Sequence, residues 1–482
     1  MKALLAMSEC PMLVSATSAH REMPDPPAWD DATLQRYTSG GDSYCCYPTP
    51  GAFGSDFGES DLESALARSN RHGRPLALYV HLPFCRKICF YCNRSKVASK
   101  LTRQADPYIS RLDREMVLAR RYLDTGREVK RLYWGGGTPT FLSLDQMSDL
   151  VDRLDARFGL SGSRERDYAI EVDPREADVF TLRHLQALGF NRLSLGVQDL
   201  DPQVLQGVNR VQPRILTEAL IDEADRLGFR SLNLDLIAGL PGQTRDSFAA
   251  TLEQVIAMAP PRLRVSDYVH QPERVPTQRR IRAEQLPDVA ERLAILRTTV
   301  AQLTAAGYVY LGLDQFARPE DSLAVAQRHG RLTRDFQGYT DQSADDLLGL
   351  GVSAYSRIDD TYSRNPVDLA VYEAALDASH LPVASGLRLT FDDRVRRHAI
   401  ERLLCDMALD LDALGERFDL DASRYFAKAL QRLEAPLHDG LMERQGNRLL
   451  VTPLGRLRAS HLAHAFDARH SPPPSGPSPS PA

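Results

Sequence analysis

This chain lacks the features that would place a protein in a membrane, outside the cell or on nucleic acid. No apolar run in its 482 residues approaches the roughly 20 needed to span a bilayer. The opening stretch MKALLAMSECPMLVSATSAH is broken by Ser8, Glu9 and Pro11 and has no sustained apolar segment ahead of a cleavage site, so it does not read as a signal peptide. An excess of one charge is missing too: with 26% charged residues and a net charge of −5, no whole-protein field gathers nucleic acid or an anionic membrane. An anionic substrate must therefore be held by a local cluster of Arg and Lys. Cysteines spread along the chain, as a secreted disulfide framework needs, are also absent. Of seven, three lie within one eight-residue window and two, Cys45 and Cys46, are adjacent. The expectation is a cytoplasmic monomer with no membrane span, no nucleic-acid partner and a metal site.

Between a loose extension (1–28) and a Pro/Ser tail (471–482), short apolar runs alternate with helical periodicity. The runs are LALYVHL (76–82), VKRLYW (129–134), DYAIEV (167–172), RLSLGV (192–197), SLNLDLI (231–237) and RLRVSDYV (262–269). Helical stretches follow, such as 144–158, opened by the capping-box pattern Ser143 to Gln146, and 246–258. Six βα units in series predict an α/β fold, a parallel sheet closing as a partial (β/α)6 TIM-like barrel, with near-continuous apolar strands buried on both faces. The expected divisions are an arm (29–70), the barrel (71–300), a barrel extension carrying substrate-site residues (301–384) and a C-terminal unit (385–470). That unit reads as LTFDDRVRRHAIERLLCDMAL, a second helix over DASRYFAKALQRLEAPLHDG, and a hairpin turning at 445–447. Helices followed by a hairpin wing resemble a winged-helix domain, but the balanced charges favour a packing lid over a DNA-binding role.

The strongest chemical signal is Cys85-Arg-Lys-Ile-Cys89-Phe-Tyr-Cys92, directly after the first strand. Three thiolates on one loop hold three irons of a [4Fe–4S] cube and leave the fourth iron open. S-adenosylmethionine chelates such an open iron through its amino and carboxylate groups. A structural zinc is the alternative, yet it wants a fourth Cys or His from a second knuckle, and none stands at such spacing. Gly135-Gly136-Gly137-Thr138-Pro139, after the second strand, allows close backbone approach to the cofactor. Glu171, Gln198, Arg210 and Asp235 lie at or after later strand ends; Glu171 and Asp235 suit a ribose or ammonium group, or equally a loop cap or buried ion pair.

Together these residues resemble the oxygen-independent coproporphyrinogen III oxidase family of radical S-adenosylmethionine (SAM) enzymes. The similarity runs from about Trp29 to Phe466 and includes SYCCYPT (43–49), YVHLPFCRKICFYC (79–92), LYWGGGTPTFL (132–142), IEVDPRE (170–176), FNRLSLGVQD (190–199) and NLDLIAGLPGQT (233–244). LDQFARPED (313–321), RDFQGYT (334–340) and DLLGLGVSAYS (346–356) lie outside the generic radical core and separate this family from other radical enzymes. The resemblance implies oxidative decarboxylation of two propionates of coproporphyrinogen III to vinyl groups, giving protoporphyrinogen IX in heme biosynthesis. A 5′-deoxyadenosyl radical would take hydrogen from the propionate carbon β to the carboxylate, with electrons from a separate reducing protein. It implies a [4Fe–4S] cluster on Cys85, Cys89 and Cys92 and two SAM molecules. Tyr79, Gly136 and Glu171 would contact the first; Tyr91, Gly137, Thr138, Gln198, Arg210, Asp235 and Val269 the second.

The chain departs from the family pattern in places. Arg94 stands where a fourth cysteine is usual, Gln315 where a His is usual, Ser43 where an Arg is usual, and Tyr355, near the adenosine, where a smaller aliphatic group is usual. Arg94, Gln315, Cys45 and Cys46 are the catalytic candidates, with Cys45 or Cys46 as a substitute for the missing thiol. Retained coproporphyrinogen chemistry is the first expectation. The alternatives are a diverged radical SAM methyltransferase or cyclopropanase, and a heme-trafficking protein without turnover.

Overall fold

The computed structural model describes residues 28–37, 46–341 and 346–469. Ser43, Cys45, the chain up to residue 27 and the Pro/Ser tail lie outside the described residues. All six expected strands form: β1 (Leu76–Leu82), β2 (Val129–Gly136), β3 (Asp167–Val172), β4 (Arg192–Gln198), β5 (Ser231–Ala238) and β6 (Arg262–Asp267). They pair in parallel in chain order. β6 ends at Asp267, two residues before the expected limit, where the chain leaves the ladder.

The sheet then grows at both edges. β7 (Val309–Gly312) and β8 (Gln315–Ala317) add antiparallel beyond β6. β9 (Asp346–Leu350) pairs parallel with β1, and β10 (Tyr355–Ile358), β11 (Thr361–Arg364) and β12 (Ser385–Arg388) follow antiparallel. The order is β12-β11-β10-β9-β1-β2-β3-β4-β5-β6-β8-β7, twelve strands whose end members do not pair with each other among the described residues, so the barrel is partial. The helix Val289–Ala305 runs across residue 300, where the sequence placed the end of the barrel, and β12 extends the main sheet past residue 385. Residues 309–317 and 385–388 continue one sheet because each finds its hydrogen-bond partners at an open strand edge.

Burial on both faces holds for β1 but not for β3 to β5, whose residues alternate between buried and partly exposed. Leu132, Trp134, Ile170, Leu193, Leu195 and Leu234 point outward into one core with Leu112, Met116, Met147, Leu150 and Leu182 of the covering helices. The other face of β3 to β5 carries Glu171, Ser194, Asn233 and Asp235 toward the barrel interior. Burying those groups without partners would cost on the order of 1–3 kcal/mol each, and each has a hydrogen-bond partner in the interior. Helices begin where local chemistry dictates: Ser143 accepts from the Gln146 amide (3.2 Å) while the Gln146 side chain accepts from Ser143 N (2.9 Å), starting Leu144–Phe158.

The antiparallel pair Thr333–Asp335 and Gly338–Thr340 lies toward the N-terminal strand ends, where Asp335 approaches Arg131 (3.8 Å) and Arg334 approaches Asp314 (3.7 Å). The C-terminal unit has its own core, including Val395, Leu403, Phe426, Leu449 and Phe466. Its hairpin, Met442–Gln445 with Arg448–Val451, forms as expected and gains a third strand, Ala408–Asp410. The expected single helix over 421–440 is instead three short ones, Ala422–Tyr425, Ala427–Arg432 and Glu434–His438. The arm docks on this unit: the Tyr47 hydroxyl donates to buried Asp393 (2.8 Å), and Tyr37 to Asp439 (2.8 Å).

One buried carboxyl ties the first helix of the barrel to β9. Glu115 accepts from Gly351 N (2.7 Å), Asn365 Nδ2 (2.6 Å) and the Tyr372 hydroxyl (2.7 Å). Burial outweighs these bonds and pushes its pKa from an ordinary 4.5 up to about 7. The native state therefore holds a proton that the unfolded chain has lost between pH 4.5 and 7, so this group's contribution makes stability fall as pH rises through that window, by about 3 kcal/mol at most. Urea unfolding of the wild type should follow that slope, and Glu115→Gln, which carries no titrating proton, should flatten it.

Candidate functional site

The cysteine loop leaves the C-terminal end of β1. The parallel register of β1 and β2 sets Leu82 beside Gly136, and two backbone bonds extend the pairing into the loop: Gly137 N donates to Leu82 O and Thr138 N to Phe84 O, each 2.8 Å. Phe84–Cys85 then pairs with Val97–Ala98, closing residues 85–96 into one excursion. Its far side is tied to the segment after β4, where Phe90 N donates to Val208 O (3.0 Å) and Asn209 Nδ2 to Ile88 O (2.8 Å).

Cys85 and Cys89 are buried, Cys92 is partly exposed, and all three are free thiols. Thr138 Oγ1 lies 3.5 Å from Cys85 Sγ, while Arg175 Nη2 and Arg210 Nη1 donate toward Cys89 Sγ at 3.4 and 3.5 Å. Asp173 bridges the two guanidinium groups (2.7 and 3.2 Å); although burial opposes it, Arg210 and Arg175 hold its pKa down to about 2. Burial pushes the Cys85 thiol up to about 12, so a metal must displace its proton.

These residues fit an iron–sulfur cube. Two cations on one sulfur suit an anionic thiolate cluster. A structural zinc takes four Cys or His ligands about 2.0–2.3 Å from one centre. His81, the histidine at the loop's base, has both ring nitrogens engaged, Nδ1 with the Tyr79 hydroxyl (3.0 Å) and Nε2 with Ser95 O (3.2 Å). Burial lowers its pKa to about 4, keeping it neutral.

The chamber wall beside the loop gathers most of the expected cofactor contacts. Glu171 accepts from Gly136 N (3.2 Å) and the Tyr133 hydroxyl (2.9 Å), and the Arg94 guanidinium stands 3.6 Å from it. Arg94 is thus turned into the chamber, where Glu171 raises its pKa further. Tyr79 lies alongside Tyr133, ring centroids 5.9 Å apart. Gly136 has φ +114°, and a Cβ there would meet the His81 ring at 2.8 Å. Asp235 accepts from Ser194 Oγ and Asn233 Nδ2, both 2.9 Å, and burial raises its pKa. The Gln278 amide donates to both Tyr91 O (2.9 Å) and Val269 O (3.2 Å), fixing two expected contacts together, and Arg210 reaches the Tyr91 hydroxyl (3.4 Å). Gln198 follows Gly196 with φ +73° at a register shift in β4. Tyr355 stacks on Phe336 (4.9 Å, 26°), with the Arg364 guanidinium over its ring at 5.0 Å.

Two catalytic candidates sit elsewhere. Gln315 is buried in β8, its amide donating to Leu263 O (3.1 Å) and Asn233 Oδ1 (3.3 Å), so it braces the residue that holds Asp235. Cys46 lines a cavity with Tyr47 and Phe336 that includes none of the three loop cysteines. Motifs alone gave no role to Arg175, which reaches Cys89 Sγ, or to Asp173, which holds Arg175 and Arg210 there; the signal was their position just after β3.

Comparison with known proteins agrees over nearly the whole chain. The Radical SAM superfamily model matches residues 79–255 and the HemN C-terminal domain model residues 389–458. An oxygen-independent coproporphyrinogen III oxidase from Pseudomonas aeruginosa is 45% identical over 439 residues, 91% of this chain and 95% of the relative. One from Helicobacter pylori is 36% identical over 444 residues, 91% and 96%. A solved structure of the Escherichia coli coproporphyrinogen III oxidase (HemN), a radical SAM enzyme, aligns with TM-score 0.86 at 42% identity, covering 91% of this chain and 99% of that one.

A Cβ on Gly137 would lie 2.7 Å from Pro83 and Phe84 backbone atoms, at the root of the cysteine loop, whereas one on Gly126 meets nothing within 4 Å. Gly137→Ala should therefore lose most of the iron and acid-labile sulfide that the anaerobically reconstituted wild type retains, and Gly126→Ala should keep wild-type content.

Proposed function

The chain belongs to the oxygen-independent coproporphyrinogen III oxidase family, whose radical SAM members use a [4Fe–4S] cluster and SAM, and we propose that it decarboxylates two propionates of coproporphyrinogen III to vinyl groups. The observation that carries this reading is the three-thiol loop, one sulfur under two guanidinium groups, set against a chamber walled by Tyr79, Gly136 and Glu171.

In this reading Cys85, Cys89 and Cys92 hold the cluster, and Tyr79, Gly136 and Glu171 hold the SAM bound to it. Tyr91, Gly137, Thr138, Gln198, Arg210, Asp235 and Val269 hold a second SAM, with Tyr355 near an adenosine. When bound, the cluster and SAM supply an electron and a carbon radical able to take hydrogen from the propionate carbon. The chain's own contribution is placement. Glu171, oriented by Gly136 N and the Tyr133 hydroxyl, accepts from an ammonium group. Arg94 offers a planar two-pronged donor to a propionate carboxylate, so that the reacting carbon sits within roughly 3–3.5 Å of its partner. Hydrophobic packing behind β1 and β2 excludes bulk water from that side of the chamber. A separate reducing protein supplies electrons, and the chain works as a monomer in the cytoplasm. Among the described residues no helix is long and apolar enough to cross a membrane.

Anaerobic incubation of the reconstituted protein with coproporphyrinogen III, SAM and a reductant should yield protoporphyrinogen IX, lighter by two CO2 and four hydrogen atoms. A product one carbon heavier, or tight heme binding without SAM cleavage, would replace the proposal with methyl transfer or heme carriage. Glu171→Gln removes the charge from that hydrogen bond, about 1.5–3 kcal/mol, and should weaken SAM binding by roughly ten- to a hundredfold with iron content unchanged.

A further inference from the structure

Away from the cysteine loop, a cavity of about 470 Å³ opens between the hairpin at 333–340, the N-terminal ends of the central strands and the helix Phe391–Asp406. Its charge is one-sided. Arg394, Arg397 and Arg417 line it, and among the described residues none has a carboxylate within ion-pair distance: Arg397 donates to the Tyr362 hydroxyl (3.2 Å), with Glu401 and Asp360 acting on it from farther away, while Arg394 and Arg417 lie against Phe391 and Phe418, each 5.8 Å from the ring centroid. Three of the lining carboxylates are matched by arginines outside the cavity: Asp335 by Arg131 (3.8 Å), Asp346 by Arg127 (2.7 Å) and Asp359 by Arg68 (3.7 Å). Glu401 is the remaining lining carboxylate. The excess positive potential registers on His398, whose pKa falls to about 3 through burial and then through Arg417, Arg402 and Arg397.

The cavity shares a wall with the radical chamber. Phe336 lines it, stacks on Tyr355 and meets Tyr362 edge-on (5.6 Å), and Tyr355 begins the strand next to Gly349, the residue paired with Tyr79. Aromatic faces next to unmatched guanidinium groups suit a ligand with an apolar body and several carboxylates. On a chain of net charge −5, such a ligand needs a local anchor.

We propose that this cavity is a carboxylate-anchoring subsite that binds the tetrapyrrole by propionates not undergoing reaction, with Arg397 and Arg394 as anchors and Arg417 beside them. The identity of the ligand rests on the function proposed above; the preference for a polycarboxylate rests on the cavity alone.

Fluorescence titration of the full-length protein with coproporphyrin III, the oxidised and non-reacting form, tests it. Binding should weaken as salt is raised, and the uncharged tetramethyl ester should bind at least tenfold less well. Arg394→Ala/Arg397→Ala should lose tenfold or more in affinity, and in turnover should raise KM with kcat near wild type; Arg397→Lys should recover much of the affinity. Arg394→Glu and Arg417→Glu, at exposed positions, should weaken binding in chains whose iron content and melting temperature match the wild type. Wild-type affinity in the double variant or in both charge reversals, equal binding of acid and ester, or no binding of coproporphyrin III would overturn the proposal. A wild type that binds through these arginines yet decarboxylates nothing would sink the assigned reaction and leave the subsite standing.

Discussion

The parallel register of β1 and β2 is the constraint on which the site depends. It sets Leu82 beside Gly136, so the cysteine loop and the glycine turn leave the sheet side by side and are stitched together by Gly137 N and Thr138 N. A slip of one residue would send every side chain of one strand to the opposite face. Tyr79 would leave the chamber for the core, and Leu78 or Val80 would enter it. The apolar outer face, packed with Trp134, Ile170 and Leu195, makes such a slip costly. The burial that stabilises the fold therefore also fixes the geometry of the thiols.

Inside the sheet, charges are arranged in short chains instead of isolated pairs. Arg210 and Arg175 share Asp173 while reaching toward Cys89, and Arg264 and Arg334 share Asp314 lower in the barrel. Each carboxylate is compensated by a cation from another strand or loop, so removing one member would leave a buried charge unmatched. Glu171 differs in facing a partly open chamber, where Arg94 offers a guanidinium at 3.6 Å. The departure of this chain from its family at residue 94 thus falls inside the chamber, beside the group assigned to the cofactor.

The parts outside the barrel converge on its other end. The hairpin at 333–340 approaches Arg131 and Asp314, its Tyr339 hydroxyl reaching Leu404 O (2.7 Å) in the C-terminal helix, and the arm is fastened to the same helix through Tyr47 and Asp393. The C-terminal unit therefore packs against the hairpin and the arm. Its tie to the arm buries Tyr37 and Tyr47 in the unit's own core and adds a polar anchor: Asp393, held well below the usual carboxylate range despite burial, accepts from Arg469, Thr390 and Tyr47.

The sequence by itself determined the local features. The six parallel strands, the helix Leu144–Phe158 with its Ser143 cap, the hairpin turning at residues 445–447 and the three-cysteine loop were all legible there, because each depends on periodicity, capping or spacing within a short stretch. Tertiary structure alone decided what faces what. The antiparallel strands β7, β8 and β10 to β12 are short and take their direction from an existing edge, so no local pattern announced their place. Gln315 and Cys46 read as reactive candidates by position in a motif, yet one braces Asn233 and the other lines the arginine cavity. Arg175 gave little signal beyond its place after β3, and Arg394 and Arg397 gave none beyond lying in an expected helix. Electrostatic roles arise from which charges are left unmatched after folding, a property of the whole assembly that no segment carries alone.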